Sequence, residues 1–146
     1  MSIEDDVDLL DRVPTLRLLG IPALRMLAIG SEQRDYSSGD YLFNAGDDAD
    51  AGYVVRRGAF RVEDGGAEVI AGPGDLIGEL ALIVAMQRPS SAVALAHSSV
   101  IRLARSLFQR VLESDPAAAR RLRDELAART SQIASDILIA GAKLNI

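Results

Sequence analysis

The 146-residue chain has no cysteine, no tryptophan and a single histidine, His97. The absence of cysteine excludes disulfide frameworks, thiolate nucleophiles, cysteine-ligated zinc and iron–sulfur clusters. One imidazole is also too few for the usual histidine-based metal sites and acid–base pairs. We therefore expect no metal site, no required cofactor and no enzymatic activity, and a chain without cysteine is compatible with the cytoplasm.

The sequence also lacks long apolar runs and an excess of basic charge. No stretch approaches the roughly eighteen apolar residues of a membrane span, and the acidic start MSIEDDVDLLD is the opposite of a basic signal peptide. The net charge of −5 would repel nucleic acid unless basic residues were segregated, and the one basic cluster, ARRLRDELAAR, contains Asp124 and Glu125. These features predict a soluble cytoplasmic protein that binds neither membranes nor nucleic acid.

The apolar fraction of 49% and the chain length predict one domain, residues 1–146, with three regions. Residues 1–30 have leucines at helical spacing, and Pro14 and Pro22 mark helix starts or breaks, which predicts two short helices. Residues 31–104 are short alternating runs separated by glycine turns, typical of a small antiparallel sandwich or barrel. Residues 105–146 return to a helical pattern.

The β region is predicted to contain two hairpins. Tyr53 to Val55 and the run from Phe60 to Val62, separated at Gly58, would form the first, and AEVIA would add a third strand. SAVALA and VIRLAR, joined by HSS, would form the second. Between these blocks GELALIVAMQRPSS cannot continue the alternation, so it predicts one short helical turn.

The C-terminal region is predicted to contain a long helix. Ser114 or Asp115 can cap it, and Pro116 suits its first position. Its helical pattern extends to about Gly141. We expect this helix to pack on its own barrel, with dimerisation through its last turns as the alternative.

The segment GDLIGELALIVAMQRPSS, residues 74–91, begins with the features of an anion site. Gly78 allows a ligand to approach the backbone closely. The N–H groups of the turn that follows, those of Glu79, Leu80 and Ala81, would point at that ligand, and helix starts attract anions.

Charged and hydroxylic side chains later in the same segment define the ligand more closely. After the helical turn the chain can loop back, so that the guanidinium of Arg88 donates two hydrogen bonds to the same anion, and Ser90 and Ser91 add hydroxyl donors. Glu79 would repel an anion, but its carboxylate can accept a hydrogen bond from a hydroxyl group such as the 2′-hydroxyl of a ribose. The pair Glu79 and Arg88 therefore predicts a sugar phosphate ligand.

This segment resembles the phosphate-binding cassette of cyclic nucleotide-binding domains, in which Gly-Glu-Leu-Ala-Leu is followed by a short loop, an arginine and small hydroxylic residues. SSGDYLFNAGDDADAGYVVRRGAFRV resembles the first strands of that family, and SLFQRVLESDP resembles its helix after the barrel. The resemblance implies a mainly β fold, an antiparallel, jelly-roll-like β-roll with N-terminal and C-terminal helices. It also implies that Glu79 contacts the ribose and Arg88 the cyclic phosphate. The remaining cassette contacts would come from Gly78, Leu80, Ala81, Pro89, Ser90 and Ser91.

Pro89 departs from the family pattern, which has alanine, serine or threonine directly after the arginine. Proline has no N–H to donate to the phosphate, and it restricts the backbone of Arg88, so binding is expected to be weaker or altered. Because cGMP-selective members tend to have threonine here, the sequence favours cAMP over cGMP. The resemblance also implies that an apolar side chain of the C-terminal helix covers the base, with Ile133, Ile137 and Leu138 as candidates.

The favoured function is a cyclic nucleotide-sensing module without an attached effector domain. It would move its C-terminal helices over the ligand and signal to a protein partner in trans, or to a second copy in a homodimer, through the C-terminal helix. The alternative is a degenerate β-roll that has lost nucleotide binding, as Pro89 would indicate, and acts as a protein-interaction scaffold. The acidic charge and the lack of a helix-turn-helix segment disfavour transcription regulation.

Overall fold

The computed structural model describes residues 2–64 and 66–128. Its N-terminal helices are α1 (Ile3–Asp11), α2 (Pro14–Arg17) and α3 (Ile21–Gly30). The prediction of two helices for this region was therefore wrong. Ser2 and Asp5 begin α1 with a capping box, and Pro14 and Pro22 each lie in the first turn of a further helix, where an N–H would have no helical partner.

Ten short strands follow in the described part of the chain. They are β1 (Glu32–Tyr36), β2 (Tyr41–Phe43), β3 (Asp48–Ala49), β4 (Ala51–Arg57), β5 (Phe60–Asp64), β6 (Ala67–Ala71), β7 (Leu76–Ile77), β8 (Met86–Gln87), β9 (Ala92–Ala94) and β10 (Ser98–Ala104). They form two four-stranded sheets, in the orders β1-β10-β4-β7 and β2-β9-β5-β6, and a small β3-β8 pair, all antiparallel. This confirms the predicted class, an antiparallel β-roll with flanking helices.

Both predicted hairpins were wrong. Their strands exist, but the two strands of each predicted hairpin do not pair with each other. β4 and β5 lie in different sheets, and so do β9 and β10, because the chain crosses between the two sheets at these points. At the first crossing Gly58 has a φ of 80°, and a Cβ there would lie 2.1 Å from Oγ of Ser98. The hairpin that does form joins β5 and β6, with Phe60 opposite Ala71. Alternation predicts a strand and its buried face, whereas its partner depends on packing across the whole roll.

The core has two apolar clusters, and the residue 74–91 segment contacts both. One cluster packs the N-terminal helices on the first sheet and on α4 (Arg105–Ser114), and it contains the fully buried Leu16, Phe108 and Leu82. The other fills the interior of the roll and contains Phe60 and Ile77. Since Ile77 precedes the segment's helical turn and Leu82 ends it, the turn is fixed at both ends by buried side chains.

Residues 116–128 are helical, and Asp115 is the cap of this segment because its Oδ1 accepts the N–H of Ala118 at 3.1 Å. Arg121 attaches the segment to the N-terminal helices through the carbonyls of Leu18 and Leu19, at 2.8 and 2.7 Å. The predicted continuation to about Gly141 and the three candidate base-covering residues lie outside the described residues. In residues 2–64 and 66–128, no helix has the length and apolar character to cross a membrane.

Candidate functional site

A short 3₁₀ turn, Glu79–Leu82, begins directly after Gly78, which confirms the helical turn predicted for this stretch. Gly78 has left-handed backbone angles (φ 78°, ψ 39°), and a Cβ there would lie 2.6 Å from Nη1 of Arg88. Glycine is therefore required both for the backbone conformation and for the approach of the guanidinium. The N–H of Ala81 donates to the Gly78 carbonyl at 3.1 Å, so this predicted ligand donor is already engaged within the turn.

The side chain of Arg88 is buried, with 5% of the residue exposed. Its guanidinium lies over the ring of Phe43, 4.2 Å from the centroid, and 5.5 Å from the ring centroid of Tyr53. Nη2 donates to the carbonyl of Ala51 at 2.8 Å. Burial lowers the pKa of Arg88, since desolvation disfavours the charged form, while Tyr53 and Asp50 act in the opposite direction. Arginine is nevertheless a cation at neutral pH.

Two features of this guanidinium leave it able to bind an anion. Nε of Arg88 is buried and has no hydrogen-bond partner among the described residues. Over the same residues, no carboxylate lies within ion-pair distance of Arg88. A buried cation without a counter-ion and with an unused donor is costly for the fold, and an anionic ligand would satisfy both.

The backbone of Arg88 is held by the loop between β2 and β3. Its N–H donates to the carbonyl of Asp47 at 2.7 Å, and its carbonyl accepts the N–H of Gly46 at 2.8 Å. Both backbone groups are therefore used within the protein, and Pro89 follows on the exposed surface. The hydroxyl of Ser91 belongs to the same loop contact, because it accepts the N–H of Ala45 at 2.8 Å.

Arg88 and Glu79 face one cavity of about 660 Å³. Seven of the eight predicted site residues line it, namely Gly78, Glu79, Leu80, Ala81, Arg88, Pro89 and Ser90. Ser91 is not among the lining residues and contacts the β2–β3 loop instead. The structure therefore brings the predicted carboxylate, guanidinium and one hydroxyl together around a single space.

The opposite wall of the cavity was not predicted. It comes from β5 and β6 and includes Val62, Glu63, Val69 and Ile70. Val69 and Ile70 are adjacent on one strand and both are exposed, as is Leu80 on the cassette side. Two neighbouring apolar residues in AEVIA interrupt the alternation, and this was the signal in the sequence that could have identified the wall.

Glu79 has a hydrogen-bond donor that sequence analysis missed. Its side chain is half-buried, and Oε1 accepts the hydroxyl of Thr15 from α2. Thr15 is itself buried, with 6% exposed. Because 64 residues separate the two along the chain, no local pattern could have indicated the contact.

The sequence profile of the cyclic nucleotide-binding domain matches residues 33–115, more than half of the chain. The chain therefore belongs to the cyclic nucleotide-binding domain family, as its cassette indicated.

Two solved structures are similar over most of their length. A cyclic nucleotide-binding-like protein from Brucella abortus is 36% identical with a TM-score of 0.65, and the match covers 75% of this chain and 98% of that protein. The N-terminal domain of a transcriptional regulator from Streptomyces coelicolor is 28% identical with a TM-score of 0.80, covering 89% of this chain and 95% of that domain.

A curated relative, an NTE family protein of Mycobacterium tuberculosis strain H37Rv, is 33% identical over 133 residues. The match covers 84% of this chain but 23% of that protein. The chain thus spans about a quarter of the length of the first curated relatives it matches.

Proposed function

We propose that this chain binds a cyclic nucleotide, with cAMP as the favoured ligand, and acts as a regulatory module. The observation that carries the proposal is the buried guanidinium of Arg88. Its Nε has no partner among the described residues, and it lines the same cavity as the carboxylate of Glu79. Membership of the cyclic nucleotide-binding domain family supports the same ligand class.

The cavity assigns a different chemical surface to each part of such a ligand. Arg88 would bind the cyclic phosphate, and Glu79 would accept the 2′-hydroxyl of the ribose. The exposed apolar side chains of Val69 and Leu80 would cover part of the base. The volume of about 660 Å³ lies within the usual range for small-molecule sites.

We propose binding without catalysis at this cavity. Among the described residues that line it, one side-chain hydroxyl is present, that of Ser90, and no imidazole. A hydroxyl is a weak nucleophile unless a base activates it, and in the described residues no hydrogen bond joins Ser90 to the lining carboxylates of Glu63, Asp75 and Glu79. The signalling route through the C-terminal helix to a partner in trans or in a homodimer, the single domain 1–146 and the cytoplasmic location stay predictions.

Calorimetric titration with cAMP and cGMP tests the proposal. Arg88→Ala removes a charged, desolvated contact and should cost about 2 to 5 kcal/mol, or roughly thirty-fold to several thousand-fold in affinity. Arg61→Ala is the matched control, since Arg61 is an exposed arginine on β5 outside the cavity lining, and its affinity should be unchanged. Urea unfolding of each variant separates lost binding from lost structure.

Two results decide between the candidate functions. Saturable binding that Arg88→Ala removes supports a nucleotide-binding module, and the ratio of the two affinities identifies its ligand. A folded protein that gives no heat with either nucleotide at millimolar concentration would instead support the interaction scaffold, for which the exposed Pro89 was the sequence argument.

A further inference from the structure

The contact between Thr15 and Glu79 joins two parts of the molecule that are distant in sequence. Thr15 lies in α2, a helix of four residues, and its side chain is buried. The next residue along the chain, Leu16, has no exposed surface and belongs to the helical apolar cluster. Thr15 is thus a buried polar residue beside that cluster, and the partner of its hydroxyl is the carboxylate that lines the cavity.

A hydroxyl in this position restrains the carboxylate it contacts. A carboxylate offers about four acceptor sites, and Thr15 occupies one on Oε1. This hydrogen bond restrains the orientation of the Glu79 side chain, and so it contributes to where the other acceptor sites point. Hydrogen bonds to charged groups are stronger than those between neutral groups, particularly where water is excluded.

The short helix α2 is itself held in place by contacts just after its C-terminal end. Arg121, in the helical segment 116–128, donates to the carbonyls of Leu18 and Leu19, which directly follow α2. A continuous series of contacts therefore runs from Arg121 through α2 to Thr15 and then to Glu79. It connects the N-terminal helices to Glu79, which lines the cavity.

We propose that Thr15 is a positioning residue, which orients Glu79 toward the sugar hydroxyl so that the N-terminal helices set the selectivity of the site for ribose over deoxyribose. This inference rests on the proposed function. Arg121 contributes by holding α2 in place, so the helical segment 116–128 also helps to position Glu79. Thr15 itself does not line the cavity, and it acts through Glu79.

The test compares affinities for cAMP and 2′-deoxy-cAMP in the full chain. Thr15→Val keeps the shape of the side chain and removes its hydroxyl, so the preference for the ribose form should fall by roughly three- to ten-fold. Thr15→Ser restores a hydroxyl and should retain the preference. Ser31→Ala is a matched control, because it removes a part-buried hydroxyl that contacts the Ala28 carbonyl at the end of α3.

The outcomes separate this inference from the proposed function. Equal weakening of both nucleotides in Thr15→Val would show a merely structural role and overturn the inference, while nucleotide binding itself would stand. A wild-type protein that binds neither nucleotide would overturn the proposed function and this inference together. If Thr15→Val does not fold, Arg121→Met takes its place: a reduced ribose preference supports the series of contacts, and an unchanged preference contradicts it.

Discussion

Replacing Gly78 by alanine tests the fixed geometry of Arg88. The left-handed conformation at Gly78 (φ 78°) should cost an alanine about 1–2 kcal/mol. The new Cβ would also lie 2.6 Å from Nη1 of Arg88, so the guanidinium must move away from its bond to the Ala51 carbonyl. Losing a hydrogen bond to a charged group adds about 1.5–3 kcal/mol. We expect a total loss of roughly 2.5–5 kcal/mol in the free energy of unfolding.

Gly39→Ala separates the two contributions. Gly39 also has a positive φ, of 90°, but a Cβ there would have nothing within 4 Å. This variant should lose only the backbone cost of about 1–2 kcal/mol. Urea unfolding of both variants measures the difference, and calorimetric titration with cAMP measures binding, which should weaken at least about ten-fold in Gly78→Ala alone. The reasoning would be refuted if Gly78→Ala and Gly39→Ala lost the same unfolding free energy and Gly78→Ala kept its affinity for cAMP. The position of the Arg88 guanidinium would then affect neither stability nor binding.

Three further substitutions test other parts of the structure. Gly58→Ala should destabilise the protein more than Gly39→Ala in urea unfolding, because its Cβ would collide with Ser98. An equal loss of unfolding free energy would contradict close packing where the chain crosses between the two sheets. Phe108→Ala should lower the unfolding free energy by about 3–5 kcal/mol, and a loss below about 1 kcal/mol would argue against its place in the core. Pro89→Ala restores an N–H and should tighten cAMP binding measured by calorimetry. Unchanged affinity would contradict the argument that the missing N–H of Pro89 weakens binding.

The cassette was the most predictable part of the site because its chemistry is local. Gly78, Glu79 and Arg88 lie within a short segment, and the close approach to the backbone at Gly78, the helical turn and the two charges are each visible in the residue types. The same holds for the helix cap, which the residue types limited to Ser114 or Asp115 and the structure assigns to Asp115. Local rules of this kind depend on backbone geometry over a few positions, so they can be applied before the fold is known.

Features that depend on long-range packing could not be predicted in the same way. The alternation around Phe60 indicated a strand, but the pairing of β5 with β9 follows from the crossing of the chain between sheets. Nothing in the sequence distinguished Thr15, and its contact with Glu79 joins α2 to the cassette across 64 residues of chain. Such contacts join residues far apart in sequence, and only the folded chain determines them.

The stacked and hydrogen-bonded state of Arg88 has a thermodynamic consequence for ligand capture. An arginine side chain has about 2 kcal/mol of rotamer entropy to lose when it becomes fixed. Here Phe43, Tyr53 and the Ala51 carbonyl already fix it, so that loss belongs to folding and not to binding. A ligand anion bound by Arg88 would therefore meet a donor that is ready in place, and more of the contact energy would be left to contribute to affinity.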